Sequence, residues 1–407
     1  MTFRSLAGQP SFAAKSEQTS QHSRSRRGEP ILAAFSLGSK TSAIGLDIGT
    51  DHIRVAQLKP SGSNVVLTGY DWINVPIGAV VEGEIVDPDG VAGALKDLWR
   101  KSGITGKDVA VGVSNQKVVV RLIDLPYMER AELAGAIQYQ AQDYIPIPVE
   151  DAILDFQIIG DYMTPADEHM MEVLLVAAQR DMVGLAVAAV EGAGLRPNLV
   201  DVTSFAIVRA LLGDAPTVLP DEFDESGQAT GIVHMAAGIT NIAVVERGVP
   251  RFTRVSSLAG NEFTQAVSNV LNVTFDEAER LKLAVGLPNV NGVAEPAPEG
   301  IDPATVKVVQ DALEREVNKF IAEIRRSLDY YLTQTSQVRT IRSILLTGSS
   351  AQLRNLADYL ASGLQAEVLL ADPLSRIQVT PKTQALVEAD RYGSVASIGL
   401  AMGGLQA

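Results

Sequence analysis

The tetrapeptide Asp47-Ile48-Gly49-Thr50 follows the short apolar run Ala43–Leu46 and has the residue types of a phosphate-binding turn. Gly49 lets the backbone approach an anion closely, and Thr50 offers a hydroxyl and an N–H. Asp47, at the strand end, could hold the waters of a Mg²⁺ ion that neutralises the phosphates. Alone, such a tetrapeptide is weak evidence, because Asp and Gly are ordinary turn residues. A second candidate lies downstream, where the apolar run Ile344–Leu346 feeds Thr347-Gly348-Ser349-Ser350 and a helix is expected from near Gln352. A strand, a Gly/Ser turn and a helix start together present backbone N–H groups to an anion. Glu279 and Lys282 stand at i and i+3 on one helix face and could grip a ribose. On spacing alone the better reading is an exposed ion pair, worth about 0.2–0.5 kcal/mol.

A repeated unit positions these turns. Ile53, Val55 and Gln57-Leu58 form a second strand after the first turn, Pro60–Ser63 reverses the chain, and Val65–Leu67 starts a third. The same grammar recurs downstream: Gly231–Val233, a turn with Gly238 and Thr240, then Ile242–Val245, the Arg247-Gly248 turn and Phe252–Val255. Each unit reads as a β-meander, and two similar halves imply a cleft between them. Between the repeats, Val109–Val113, Val118–Ile123, a helix through Glu129–Tyr144 and strands at Ile153–Ile159 and Val173–Ala177 read as an α/β insertion. Asp181–Val190 is then expected as a helix. Gly213–Gly231 is acidic and carries Pro and Gly, a natural boundary between halves. Further helices are expected at Glu262–Lys282 and along the stripe Leu313, Val317, Phe320, Ile324, Leu328 and Tyr331.

Composition narrows the chemistry. The chain has 407 residues and a net charge of −14, which argues against wrapping nucleic acid. It contains no cysteine, so disulfides, thiolate metal sites and a cysteine nucleophile are excluded, and a reducing compartment is the easier home. Its four histidines (22, 52, 169 and 234) are scattered, which disfavours a histidine-rich metal site. No apolar run reaches the ~18–20 residues of a membrane span. Residues 1–40 carry six basic residues against two acidic ones and read as a disordered basic arm, not a signal peptide.

Two meanders with these turns, an insertion, the Ala278–Lys282 helix motif and a late Gly turn resemble the actin/Hsp70/FtsA ATPase superfamily. Within it the sequence is similar to the PilM family of type IV pilus assembly proteins. The likeness is carried by Ile44–Leu58, Arg121–Met128, Tyr144-Ile145-Pro146 with Asp155-Phe156, and Gly194-Leu195-Arg196-Pro197 through Asp201, Ser204 and Phe205. It implies an α/β actin-like ATPase fold with ribonuclease H-like halves and an inserted FtsA-type subdomain.

On that likeness, 41–107 starts the first subdomain, 108–180 is the insertion and 181–215 completes the first subdomain. An acidic linker at 216–230 follows. The second subdomain starts at 231–262, a helical subdomain fills 263–340, and 341–407 completes the second. ATP and Mg²⁺ would sit in the cleft. Asp47, Gly49, Thr50, Gly238, Thr240 and Asn241 would contact phosphates, with Asp47 toward the metal. Glu279 and Lys282 would serve the nucleoside, and Gly348, Ser349, Ser350 and Ala351 the adenine side. The insertion, through Tyr144, Ile145, Pro146 and Asp155, would receive the cytoplasmic N-terminal tail of a PilN-like inner-membrane protein. Contacts with other inner-membrane and motor components, and self-association, are the further partners implied. Membrane contact would be indirect, the protein being cytoplasmic and recruited through partners.

Three departures from the family pattern stand out. His234-Met235-Ala236 occupies the place of an Asp-x-Gly, Ser349-Ser350 replaces glycines, and Asp51-His52 replaces a Ser pair near the proposed phosphates. A carboxylate short, a phosphoryl-transfer site loses positioning and electrostatic stabilisation; His234 reads as a neutral turn residue in a decayed site, with a compensating catalytic group as the alternative. A docking scaffold is therefore the expected function, with an ATP-hydrolysing actin-like enzyme or an FtsA-like division protein as alternatives. The last expects a C-terminal amphipathic helix, which the sequence after Ala396–Met402 does not suggest.

Overall fold

A computed structural model describes residues 3–4, 42–62, 64–213, 229–246, 248–293, 296–334 and 340–406. Strand β1 (Phe3–Arg4) comes first, then β2 (Ala43–Ile48), β3 (His52–Ser61) and β4 (Asn64–Asn74) form the expected meander. A hairpin of β5 (Val80–Val81) and β6 (Glu84–Ile85) leads to α1 (Pro88–Ser102) and β7 (Asp108–Val113). Helix α1 starts where the Asp87 side chain accepts from the Gly90 N–H, with Pro88 in its first turn, and stops at Gly103 in the left-handed region. Next come β8 (Val118–Pro126), α2 (Arg130–Ala141), β9 (Ala152–Met163), β10 (His169–Gln179), α3 (Arg180–Gly192), β11 (Arg196–Val202) and α4 (Thr203–Leu212).

The second half contains β12 (Ala229–Met235), β13 (Thr240–Glu246), β14 (Val249–Ser256), α5 (Gly260–Leu271), α6 (Phe275–Val285) and α7 (Pro303–Gln334). After it follow β15 (Ile341–Thr347), a 3₁₀ turn at Ser349–Gln352, α8 (Leu356–Leu364) and β16 (Glu367–Leu370). The chain closes with β17 (Gln378–Val379), α9 (Pro381–Ala389) and α10 (Val395–Gln406). All six residues of the expected α7 stripe are buried in the core of this half.

The duplication runs deeper than the meanders. The first sheet contains the order β11-β7-β2-β3-β4 and the second is β16-β15-β12-β13-β14. In each, an antiparallel meander is extended on its first strand's side by two parallel strands. The third sheet, β8-β10-β9, belongs to the insertion and packs α2 on one face.

Several expected boundaries move. The insertion's sheet begins at Val118, not at 108: β7 pairs in parallel with β2 and β11 in the first sheet. Both runs are apolar, and hydrophobicity alone does not say which sheet a strand joins. The stretch 341–407 is divided: β15 and β16 stay in the second sheet, but the chain after them crosses to the first half. β17 pairs with β4, and α10 packs against β2 and α4, filling a core shared between the halves. Helix α10 is apolar all round with nine buried residues, so it needs neighbours on every side. The helix expected at Glu262–Lys282 is two helices, broken at Asn272 in the left-handed region. Of the basic arm, Phe3 and Arg4 pair with Val200 and Leu199 at a sheet edge, and residues 5–41 lie outside the described residues. So does most of the expected acidic linker, whose last two residues, Ala229 and Thr230, already belong to β12.

Candidate functional site

The turns after β2 and β12 meet across the two halves. A cavity there is lined by Asp47, Gly49, Thr50, Asp51 and Arg54 from one side and by His234, Ala236 and Asn241 from the other, with Ser349. A Cβ on Gly238 would lie 2.4 Å from the Thr50 Oγ1, so glycine there lets the turns touch. Asn241 Oδ1 accepts hydrogen bonds from Ser114 Oγ at 2.7 Å and Ser204 Oγ at 3.0 Å, bolting the second half to the first. The cavity left between them has a volume of about 50 Å³. Pockets for cofactors run to ~300–1,000 Å³, so a nucleotide could enter only if the halves part.

The electrostatic centre is a residue the sequence reading passed over. Arg54 is buried on β3, with Nε 2.6 Å from Asp390 and Nη1 3.7 Å from Asp51. The Tyr70 hydroxyl donates to the same Asp390 at 2.7 Å, and burial pushes its pKa well up. Burial raises the Asp47 carboxyl to about 6, against the pull of Arg54. Burial would raise Asp51 as well, but a hydrogen bond with His52 and the Arg54 charge outweigh it and hold that carboxyl well below its usual range. Asp51 therefore stays ionised, and its charge is offset by the neighbouring Arg54 guanidinium. A charged residue between the buried Ile53 and Val55 was the only available signal for Arg54.

His234 is not a turn residue. It lies in β12, opposite Asn241 of β13 and Thr347 of β15. Ala236, in the place of the family's glycine, has no positive φ. Burial, and then the charge of Arg54, lower the His234 pKa to about 3, so it is neutral in the fold as expected. The unfolded chain takes up this proton near pH 6.5, the folded protein only near 3. Between these values the unfolded state binds more protons, and stability falls as pH falls. From pH 7 to pH 5 the wild type is expected to lose about 2 kcal/mol more than His234→Gln, read from paired urea unfolding curves. Equal losses would place His234 in contact with water.

Thr50 Oγ1, His234 Nδ1 and Ser349 Oγ line this cavity, buried and with no hydrogen-bond partner among the described residues. Two hydroxyls and an imidazole nitrogen suit phosphate oxygens or water. The metal side is thinner. Asp51 is engaged by His52 and Arg54, which leaves Asp47, and no group of three metal-binding side chains occurs among the described residues. A Mg²⁺ held there would take most ligands from phosphates and water.

The remaining expected contacts are already used within the fold. The Gly49 N–H donates to the His52 carbonyl at 2.9 Å. Thr240 donates to the Leu258 carbonyl at 2.8 Å. Lys282 is buried, 2.8 Å from Thr264 Oγ1 and 2.7 Å from the half-exposed Glu279, and neither lines the cavity. Gly348 has φ +102°, which favours glycine, and Ser350 donates to the Ala236 carbonyl at 3.0 Å. Ala351 is core. On the insertion, Ile145 is core, Tyr144 is exposed, Pro146 lines a groove facing the second half, and Asp155 lies on β9 at the sheet's other edge. The four are not one surface.

The family model for type IV pilus assembly protein PilM matches residues 45–299, more than half of the chain. The chain belongs to this family. A chain of the PilM–PilN type IV pilus biogenesis complex superposes with a TM-score of 0.72 at 25% identity, covering 89% of this chain and 98% of that one. A model for cell division protein FtsA matches residues 232–394. FtsA of Enterococcus hirae is 25% identical over 342 residues, 77% of this chain and 74% of that protein. FtsA of Enterococcus faecalis is 24% identical over 357 residues, 81% and 78% of the two. The fold is thus the actin-like ATPase fold with an FtsA-type insertion.

Proposed function

We propose that this protein is a docking scaffold of type IV pilus assembly that receives the N-terminal tail of a PilN-like inner-membrane protein. The observation that carries the reading is the likeness to a chain of the PilM–PilN complex over nearly its whole length, together with the family model. The tail docks on the insertion where it meets the first half. Among the described residues no helix is long and apolar enough to cross a membrane. Attachment to the inner face of the cell membrane therefore runs through the partner.

The cleft binds ATP when the halves part, an event that breaks the Thr50–Gly238 contact and the Asn241 bolts. Asp47, Thr50 and Ser349 then meet phosphates, and efficient hydrolysis is not expected with a neutral His234 in place of a carboxylate. The test uses the full chain and a labelled synthetic tail of the PilN-like protein from the same genome, at low salt. Saturable binding that strengthens with ATP supports the reading, and no binding in either state overturns it. In calorimetry, Asp47→Ala should abolish ATP binding while leaving tail binding without nucleotide unchanged. The match of the FtsA model to residues 232–394 supports one alternative, a cell-division role. That reading predicts retention by a division-protein tail rather than the pilus tail.

A further inference from the structure

Away from the cavity, one guanidinium is shared between carboxylates of the two halves. Arg251 of β14 pairs with Glu172 of β10, in the insertion. Its Nε lies 3.6 Å from Glu246 of β13, in its own half, and this buried Nε makes no hydrogen bond among the described residues. The Tyr331 hydroxyl of α7 donates to Glu246, which keeps that carboxylate in the second half. The side chains of Arg251 and Glu172 are 16% and 28% exposed, so water screens their pair only partly.

The backbone aims the arginine at the insertion. Val244 pairs with Phe252 and Val245 with Pro250, so Arg251 is the extra residue of a β-bulge. A bulge bends its strand and re-aims the side chain it carries. Across the interface, Glu172 stands opposite Asp124 of β8, and the guanidinium offsets the repulsion between these like charges.

The insertion moves with the first half, because Val120, Leu174 and Val176 of its sheet pack on Val202 and Phe205. Arg251, Glu246 and Tyr331 move with the second. Parting of the halves therefore draws Glu172 away and leaves Glu246 to the guanidinium. The hydrogen bonds that Asn241 accepts are, by contrast, simply lost on opening. We infer that Arg251 is the switch of a latch: paired with Glu172 it holds the cleft closed, and turned to Glu246 it stabilises the open form. The inference rests on the reading that nucleotide enters when the halves part, and it names the residues that set that equilibrium.

The chain has no native cysteine, so spin labels can be placed at will in the full protein. Tyr139→Cys on α2 and Lys307→Cys on α7 are exposed and report the separation of the insertion from the second half. Without nucleotide, Glu172→Gln is expected to shift the label distances to longer values. Calorimetry should then show ATP binding about tenfold tighter, because the open form is no longer the minor one. Glu246→Gln should weaken ATP binding, since it removes the open form's charge partner while still accepting from Tyr331. Opposite signs from two carboxylates on one arginine do not follow from an ion pair that only supports the fold. A cooperative melt above the assay temperature shows that a variant folds, and if Glu246→Gln fails this, the Glu172→Gln distances decide. Unchanged distances in Glu172→Gln would overturn the latch. So would unchanged ATP affinity in that variant where the native chain binds ATP, or shifts of the same sign in both variants. If no form binds ATP while the Glu172→Gln distances still lengthen, the latch stands and the nucleotide reading fails.

Discussion

Replacing Arg54 by methionine is expected to destabilise the fold by about 3–5 kcal/mol, the cost of removing one member of a buried ion pair. Arg54 is 4% exposed at its side chain and joins Asp51 of the first turn to Asp390, which lies just before α10. Without the guanidinium, Asp390 is left beside the Tyr70 hydroxyl, and Asp47 loses the one charge that opposes its desolvation. The Arg54→Met/Asp390→Asn double variant should recover part of the loss, because it removes the stranded carboxylate along with its partner. Urea unfolding of both variants at pH 7 measures this. A loss below about 1 kcal/mol for Arg54→Met would mean that water reaches the pair, as at an exposed salt bridge.

Gly399→Ala is expected to cost about 3 kcal/mol, the upper end of overpacking in a well-filled core. A Cβ there would lie 1.8 Å from the Ala206 carbonyl oxygen. The obstacle is helix backbone in α4, so no side-chain rotation relieves it. Helix α10 would have to move off α4, and Arg209, which donates to the Gly399 carbonyl at 2.9 Å while paired with Asp201, would move with it. Thermal unfolding gives the loss, and Ala134→Gly, at an exposed position of α2, is the control for helix propensity alone, at about 1 kcal/mol. A Gly399→Ala cost no larger than the control would show that α10 does not pack on the first half as described.

Local pattern was enough for much of this protein. Alternating apolar residues around Asp47 and again around Gly238 specify two meanders, because a half-buried strand needs period two whatever lies beside it. The long stripe from Leu313 to Tyr331 specifies α7 for the same kind of reason at period 3.6. Segments such as Tyr144-Ile145-Pro146 pointed to the family, within the superfamily suggested by the meanders, before any strand was paired. Thr50 and Ser349 were legible as candidates because each stands beside a glycine at the end of an apolar strand, but that pattern alone did not separate Ser349 from Ser350, whose hydroxyl serves the fold instead.

Tertiary structure decided the rest, because it turns on which surfaces meet. Strand β7 and helix α10 are apolar segments with no address in their sequence, and only pairing and close approach place them in the first half. Lys282 looked like an exposed partner for Glu279, until Thr264, far from it along the chain, arrived to bury it. Arg251 and Glu172 belong to different sheets and share no motif. Above all, Arg54 and Asp390 stand 336 residues apart. Neither reads as unusual alone, and only folding brings the guanidinium, the carboxylate and the first turn into one low-dielectric site.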